Sequence, residues 1–467
     1  MYTINRLAIL LAVFWLSVPG AYAVPPTVYV VDSVATLRTG NFSAYPNLRL
    51  SGWRTAGDGG EGNLIAIPSD TSSSDNSCTI YVDVVGTRFY RLENNARKEI
   101  NFYQCGAYGD GTASHAVDTT NAISNAIAAA TTIGAPNGGV YARVVCPAGV
   151  FLINGITISA GQRIELVGQH TAGVSGCQIK SSSTSVDLIT VNADTFRMED
   201  VWLFGGNATG SGNCLVLGSS SQTTNDTIIG HSWISNCSNA GIKIINAQGI
   251  WLDHTTIEIA YTYGILANVA GSSGLAQNVT INGSTFYGNT TAISIAGTSS
   301  TDSSNASNWN IVGGSEFNNN ASASTCTINI QQANSVNITG NRFDVSRNHD
   351  ICGSSVGNLT VSSNSWSKGG GAAVNCSGCS SVVASNNNGG QMWLGYAVGF
   401  QNSAIFVLSN NSSGNIVMGN SFSCAIPHAM FGLYTDSTST NTGVGPNLFS
   451  CQTTNAYDVL GSKAWNY

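Results

Sequence analysis

From about residue 190 onward, short runs in which apolar and other positions alternate recur along the chain. The unit is apolar, any, apolar, then two or three small or polar residues, any, and an apolar or aromatic residue. Copies run from Phe196-Arg-Met198 to Leu203, Ile250-Trp-Leu252 to Ile257, and Val279-Thr-Ile281 to Phe286. Others run from Val336-Asn-Ile338 to Phe343 and from Leu359-Thr-Val361 to Trp366, with looser copies near Thr227, Trp309, Phe422 and Phe449. Most successive copies lie about 23 to 30 residues apart. Alternation with period 2 predicts a β-strand, and a constant period of this length predicts a solenoid. A loop of variable length follows each aromatic. Then comes a second short alternating run, as in Gly241-Ile-Lys-Ile244, Ala292-Ile-Ser-Ile295 and Ala404-Ile-Phe-Val407. Two or three strands per coil at this spacing predict an all-β fold, a single-stranded right-handed parallel β-helix in which each coil buries its apolar side chains against the next.

Asn341, Asn364, Asn420 and Asn447 each stand two residues before an aromatic. That position predicts a tight turn whose amides stack from coil to coil. The same register aligns Phe422-Ser-Cys424 with Phe449-Ser-Cys451. Adjacent coils lie about 4.8 Å apart, within the reach of a disulfide, so a Cys424–Cys451 bridge is expected. Cys352–Cys376 is expected on the same ground.

Composition narrows the picture. Only 9% of residues are charged and 53 are Gly, yet 42% are hydrophobic, which argues against disorder. The net charge of −7 carries no basic stripe, so nucleic acid is excluded as a partner. Residues 1–23 read as a signal peptide: one early positive charge, the apolar run Leu7 to Val18, and Ala21-Tyr22-Ala23 at the cleavage spacing. No later segment reads as a membrane span, and a secreted location, extracellular or periplasmic, is expected. Twelve Cys fit an oxidising compartment. Cys376 and Cys379 form a Cys-x-x-Cys pair without a second pair or His couple at zinc spacing, so no metal site is expected there.

Residues 101 to 123 read Asn-Phe-Tyr-Gln-Cys-Gly-Ala-Tyr-Gly-Asp-Gly and, further on, Asp118-Thr-Thr-Asn-Ala-Ile123. Gly106, Ala107, Gly109, Asp110, Gly111, Asp118, Thr120, Ala122 and Ile123 resemble the opening block of the pectate-lyase superfamily, the pectin-lyase-like β-helix domain of bacterial and phage proteins. Cys105 stands where the family has an aromatic, and Thr119 where it has a second Asp. Cys146-Pro-Ala-Gly149 is similar to a later Pro-x-Gly step of the family. The resemblance puts Cys105 and Cys146 on neighbouring strands and implies a bridge between them. It also implies that Asp118 caps a short helix, Thr119 to Ala130, plugging the end of the solenoid. Leu50-Ser-Gly-Trp-Arg-Thr-Ala-Gly-Asp-Gly-Gly-Glu-Gly62 resembles a leader that precedes this domain in tailspike-like proteins. The expected organisation is a signal peptide at 1–23, a leader or cap region at 24–100 and the β-helix at 101–467.

Relatives include lyases, glycosidases, epimerases, depolymerases and binders, so the family does not fix a reaction. The polygalacturonase pattern is not present as a set. Trp251-Leu-Asp-His254 resembles a pectate-lyase block, but the calcium-binding carboxylates and the Arg-x-Pro-x-x-Arg of those enzymes are missing. No cofactor is expected, and calcium stays open without a recognisable ligand set. Asp253 and His254 fall beside the tight turn and read as ties between coils.

The loop after Val336 holds Arg342, Asp344, Arg347, His349 and Asp350 within nine positions. In a chain so poor in charge this is a candidate catalytic cluster, with Glu316 and Lys368 from the flanking coils projecting near the same edge. Two carboxylates can serve as acid and base or nucleophile on a glycosidic bond. Alternatively Arg347 or His349 takes the C5 proton of a uronate. A surface ion network is the structural alternative. A second candidate is Glu258 with Tyr261 and Tyr263, facing Lys243 one coil earlier. Trp393 and Tyr396, in an aromatic insertion on the same edge, are candidates to stack on sugars. These features point to a secreted enzyme, lyase or glycoside hydrolase, acting on an acidic polysaccharide. The alternative is a noncatalytic carbohydrate-binding or adhesive β-helix, and either form can assemble as a homotrimer.

Overall fold

Alternation of apolar and polar residues produces three parallel sheets wound into a solenoid, seen in a computed structural model of the chain. The structure describes residues 28–92, 99–134, 142–169, 176–269, 274–298, 305–320, 325–346, 348–390, 404–423, 429–450, 452–459 and 465–466. Residues 1–23, where a signal peptide is expected, and Arg347, Trp393, Tyr396, Cys424 and Cys451 therefore lie outside the described residues. The sheets contain 14, 12 and 12 strands, here called sheets I, II and III in chain order within a coil. The strand Ala247–Asp253 of sheet I leads through a tight turn to Thr256–Glu258 of sheet II, and a loop then leads to Tyr263–Asn268 of sheet III. Each strand pairs in parallel with its counterpart one coil on. The fold class is the expected one, and no helix among the described residues is long and apolar enough to cross a membrane.

Inward-facing positions stack like on like. Phe286, Phe317, Phe343 and Trp366 lie ring over ring with centroids 5.0, 4.8 and 5.0 Å apart. At the tight turn the asparagine amides form a buried ladder, Asn341 to Asn364 at 3.2 Å, Asn364 to Asn387 at 3.2 Å, Asn387 to Asn420 at 2.9 Å and Asn420 to Asn447 at 2.9 Å. Each amide in the middle of the ladder also caps backbone groups that would otherwise be buried without partners. Asn364, for example, accepts from the Asn341 N–H and donates to the Ile338 carbonyl. Asn387 joins the ladder although its coil carries Gly389 at the aromatic position, because a side chain at Gly389 would collide with the Phe422 ring.

The helix spans Ala116–Gly134, starting three residues before the expected Thr119. Asp118 lies in its first turn, where a carboxylate complements the helix dipole; it is not the capping residue. Ala122, Ile123, Ala126, Ile127 and Ala130 are buried over the end of the core.

Residues 29–91 form a separate five-stranded sheet with its own core, including Val34, Leu37, Leu48, Leu64, Tyr81 and Phe89. The Gly-Asp-Gly step of this segment works through Asp58. Burial opposes the charge of its carboxyl, but backbone N–H groups of Arg54, Trp53, Thr55 and Gly60 outweigh that and hold it below the usual range. Gly106 has φ 88°, and a Cβ there would press into the Trp53 ring, so the glycine allows the sheet to dock on the solenoid.

Two of the expected disulfides are corrected. Cys105 pairs with Cys78, fastening the N-terminal sheet to the solenoid, and Cys146 pairs with Cys177. Cys352 pairs with Cys326, and Cys376 with Cys379. A Cys352–Cys376 bridge fails on parity: Cys352 stands opposite Asn375 in the ladder, and Cys376 opposite Gly353, so the two thiols leave opposite faces of sheet III. A fifth bridge, Cys214–Cys237, was not foreseen. The fate of Cys424 and Cys451 falls outside the described residues.

Candidate functional site

Because sheet II buries Leu203, Ile234, Ile257, Phe286, Phe317 and Phe343, the residues flanking each of them point outward. The ladder register aligns these flanking residues into two columns. One reads Trp202, Trp233, Thr256, Thr285, Glu316 and Arg342; the other reads Lys180, Phe204, Ser235, Glu258, Tyr287, Asn318 and Asp344. The outer face of sheet II thus collects four aromatic side chains at one end and an ion cluster at the other.

At the aromatic end, Trp202 and Trp233 stack with centroids 5.0 Å apart, and the Trp202 indole N–H donates to Ser235 at 2.8 Å. Phe204 meets Trp202 edge-on, with the Lys180 ammonium 5.2 Å from its ring centre. Tyr287 is 42% exposed. Glu258 sits among them, half-buried. Burial pushes its carboxyl above the ordinary range, only partly offset by the Trp233 indole N–H beside it. Tyr261 reaches back two coils, its hydroxyl donating to the Asn207 carbonyl at 3.0 Å, and so braces the loops that wall this face. Lys243 and Tyr263 stand on sheet III beyond that wall. Among the described residues no ion pair joins Lys243 to Glu258.

At the other end, the Arg342 guanidinium lies 3.9 Å from Glu316 and 3.1 Å from Asp344. The expected cluster is divided here. Asp344 and Glu316 come together through Arg342, and Lys368 follows the next strand, Ser365–Ser367, in left-handed backbone. Asp350 and His349 turn inward and are 1% and 7% exposed. Thr327 donates to the Asp350 carboxyl at 3.2 Å, and the Ala372 N–H donates to His349 Nδ1 at 2.9 Å. Burial raises Asp350 to about 7, against weaker pulls from Ser346, Thr327 and Trp366, and burial lowers His349 to about 4. A polymer lying on the surface reaches neither residue, which removes both from the catalytic candidates. The pattern of charges in the loop was legible, but an irregular turn gives no periodicity from which to read direction.

Trp202 and Trp233 were missed. Their signal was an aromatic residue at the solvent position of Trp202-Leu-Phe204 and Trp233-Ile-Ser235. Among the described residues, the face itself offers no set of metal donors. Among the described residues, the grouping of His and carboxylate side chains close enough to share an ion is His231, Asp253 and His254, at the tight-turn edge.

In sequence, residues 30–94 match the family described as the phage tail protein small four-stranded beta-sheet domain. No curated protein matches the chain. In fold, the chain is similar to tailspike protein 2 of the Escherichia coli O157:H7 bacteriophage CAB120, with a TM-score of 0.59 and 14% identity over 90% of this chain and 51% of that one. The chain therefore spans about half the length of that tailspike. It is also similar to the A-module of a mannuronan C-5 epimerase from Azotobacter vinelandii, with a TM-score of 0.56 and 15% identity over 78% of this chain and 99% of the module. The gp42 tailspike of Acinetobacter phage vb_AbaP_AS12 gives a TM-score of 0.52 and 13% identity over 94% of this chain and 74% of the tailspike. At these identities the likeness establishes the parallel β-helix and nothing finer.

Proposed function

We propose that this chain is an extracellular, tailspike-like protein that holds an acidic polysaccharide along the outer face of sheet II and cleaves it there. The observation that carries this reading is the strip of Trp202, Trp233, Phe204 and Tyr287 around a half-buried Glu258. Aromatic edges and faces supply contact with the apolar faces of sugar rings, and Lys180 and Arg342 flank the strip with positive charge. The five disulfides favour an oxidising location. The mannuronan epimerase, named for chemistry on a polyuronate, lends support to an acidic substrate. A homotrimer is part of the proposal: Ile416, Met418 and Leu448 expose apolar surface near the last coils, and sedimentation of the full chain tests it.

Elimination fits this site better than hydrolysis. Paired-carboxylate hydrolysis requires two carboxyl groups about 5 to 9.5 Å apart. Glu316 and Asp344 lie two and three strands from Glu258, roughly 10 and 14 Å at the strand spacing, and both are engaged by Arg342. A single group with a raised pKa suits proton abstraction. Glu258, as carboxylate, takes the C5 proton of a uronate. The C–H electrons form the C4–C5 double bond, and the C4 glycosidic oxygen departs with a proton from water. The ion-paired state of Glu316 and Asp344 favours a second reading, a noncatalytic binding face.

Incubation of the chain with acidic and neutral polysaccharides, following the ultraviolet absorbance of unsaturated uronates together with new reducing ends, separates these. The proposal predicts absorbance and reducing ends in step, and a loss of about 100-fold or more in Glu258→Gln. Reducing ends without absorbance would replace elimination by hydrolysis. Binding without products across the panel would establish the noncatalytic reading.

A further inference from the structure

From the strand Arg197–Glu199 to the strand Ile416–Met418, the tight turn after each strand of sheet I puts one residue per coil into left-handed backbone. Its N–H donates to the next coil, so these residues form a column on the edge of the solenoid. The column includes Asp200, His231, His254, Gly283, Gly340, Ser363, Asn386 and Gly419, with φ between 44° and 72°. Glycine and asparagine suit this conformation, whereas other side chains spend about 1 to 2 kcal/mol there. Two of these positions, in consecutive coils, are histidines.

Their imidazoles face each other, with centroids 5.6 Å apart and planes 7° from parallel. The Asp253 carboxylate lies 2.9 Å from His254 Nδ1 and accepts from Asn282 of the next coil at 2.7 Å. Glu199 stands 3.8 Å from His231 Nδ1. One donor atom from each of His231, Asp253 and His254 lies within 4.8 Å of the other two. The three side chains are 57%, 43% and 58% exposed, so an ion from solvent reaches them. A Cβ at Gly283 would stand 3.0 Å from His254 Nε2, so the glycine keeps the outer side of that ring clear.

We propose that His231, Asp253 and His254 bind a divalent transition-metal ion of the zinc class at the tight-turn edge. Two imidazoles and one carboxylate with an open side form a three-ligand zinc set, whereas calcium and magnesium prefer oxygen donors throughout. Zinc–ligand bonds of about 2.0 to 2.2 Å require the donors to draw closer than they stand, which side-chain rotation supplies. The ion clamps two consecutive coils across the turn, on the far side of sheet II from the variable loops. Neither residue set of the proposed cleavage site takes part.

The test is calorimetric titration of the full chain with Zn²⁺, with Ca²⁺ as control and Co²⁺ as a spectroscopic probe. One equivalent of Zn²⁺ binds saturably, Ca²⁺ does not compete, and Co²⁺ gives a visible d–d absorption. His231→Ala, His254→Ala and Asp253→Asn each weaken Zn²⁺ about tenfold or more. Without metal they keep the wild-type circular dichroism and melting midpoint. Added Zn²⁺ raises the melting midpoint of the wild type but not of His231→Ala. Absence of saturable Zn²⁺ or Co²⁺ binding, or equal affinity in a His231→Ala/His254→Ala double variant, overturns the assignment.

Discussion

Asp350 and His349 give the fold a pair of opposing titrations. Asp350 is 1% exposed, and burial lifts its carboxyl from 3.8 to about 7. Its folded state therefore binds the proton more tightly than the unfolded chain does. The associated stability is fully present below pH 3.8 and is lost as pH rises through about 7. At about 1.4 kcal/mol per tenfold change in proton affinity, the loss by pH 8 is about 4 kcal/mol. His349 runs the other way. Burial lowers it from 6.5 to about 4, so the fold loses about 3 kcal/mol as pH falls through that window. Between pH 4 and 6.5 the two slopes cancel, because folded and unfolded states carry the same number of protons on the pair. Asp350→Asn removes one side of this balance. The variant should exceed the wild type in stability above pH 7, by up to about 4 kcal/mol, and should lose stability steeply below pH 6.5. His349→Asn keeps an acceptor for the Ala372 N–H and should show the reverse slope. Urea unfolding midpoints at closely spaced pH values read both. An Asp350→Asn variant with the wild-type pH profile and no gain at pH 8 would show that Asp350 is an ionised, compensated carboxylate, and the reasoning would fail.

Other expectations concern the scaffold. Asn364→Ala leaves the Asn341 N–H and the Ile338 carbonyl buried without partners, which should cost about 2 to 5 kcal/mol in denaturation. Gly353→Ala would drive a methyl into the Cys376 and Cys379 sulfurs, so the oxidised protein should melt well below wild type. Cys78→Ser with Cys105→Ser opens a cross-link between residues 27 apart. It should release about 3 kcal/mol and make the N-terminal sheet the first target of limited proteolysis; equal protease resistance would count against its role as the fastener.

The repeat carried most of the fold because its physics is local: alternation sets which side chains point inward, and stacking forces equivalent positions to repeat. Asn341, Asn364, Asn420 and Asn447 were readable for that reason. Asn387 was not, because Gly389 erases the aromatic that marks the coil. The cysteines show the limit of this reasoning. Spacing brings Cys352 and Cys376 to neighbouring coils, but a one-residue difference in register sends them to opposite faces, and no pattern in a Ser- and Gly-rich segment fixes that parity. The candidate site divided in the same way. Glu258 ends a regular strand and its outward direction follows from Ile257, whereas Asp350 follows an irregular turn and points inward. The proposed metal-ligand group joins His231 to Asp253 and His254 only through the coil spacing, which no short motif records.

The structure of the chain with a bound oligosaccharide of its preferred polymer would test the central claim most directly. Sugar rings should lie across Trp202, Trp233 and Tyr287 on sheet II, with the Glu258 carboxyl within hydrogen-bond reach of a C5 hydrogen or glycosidic oxygen. An oligosaccharide seated instead along sheet III, or at the Arg342 cluster with Glu258 untouched, would contradict the account.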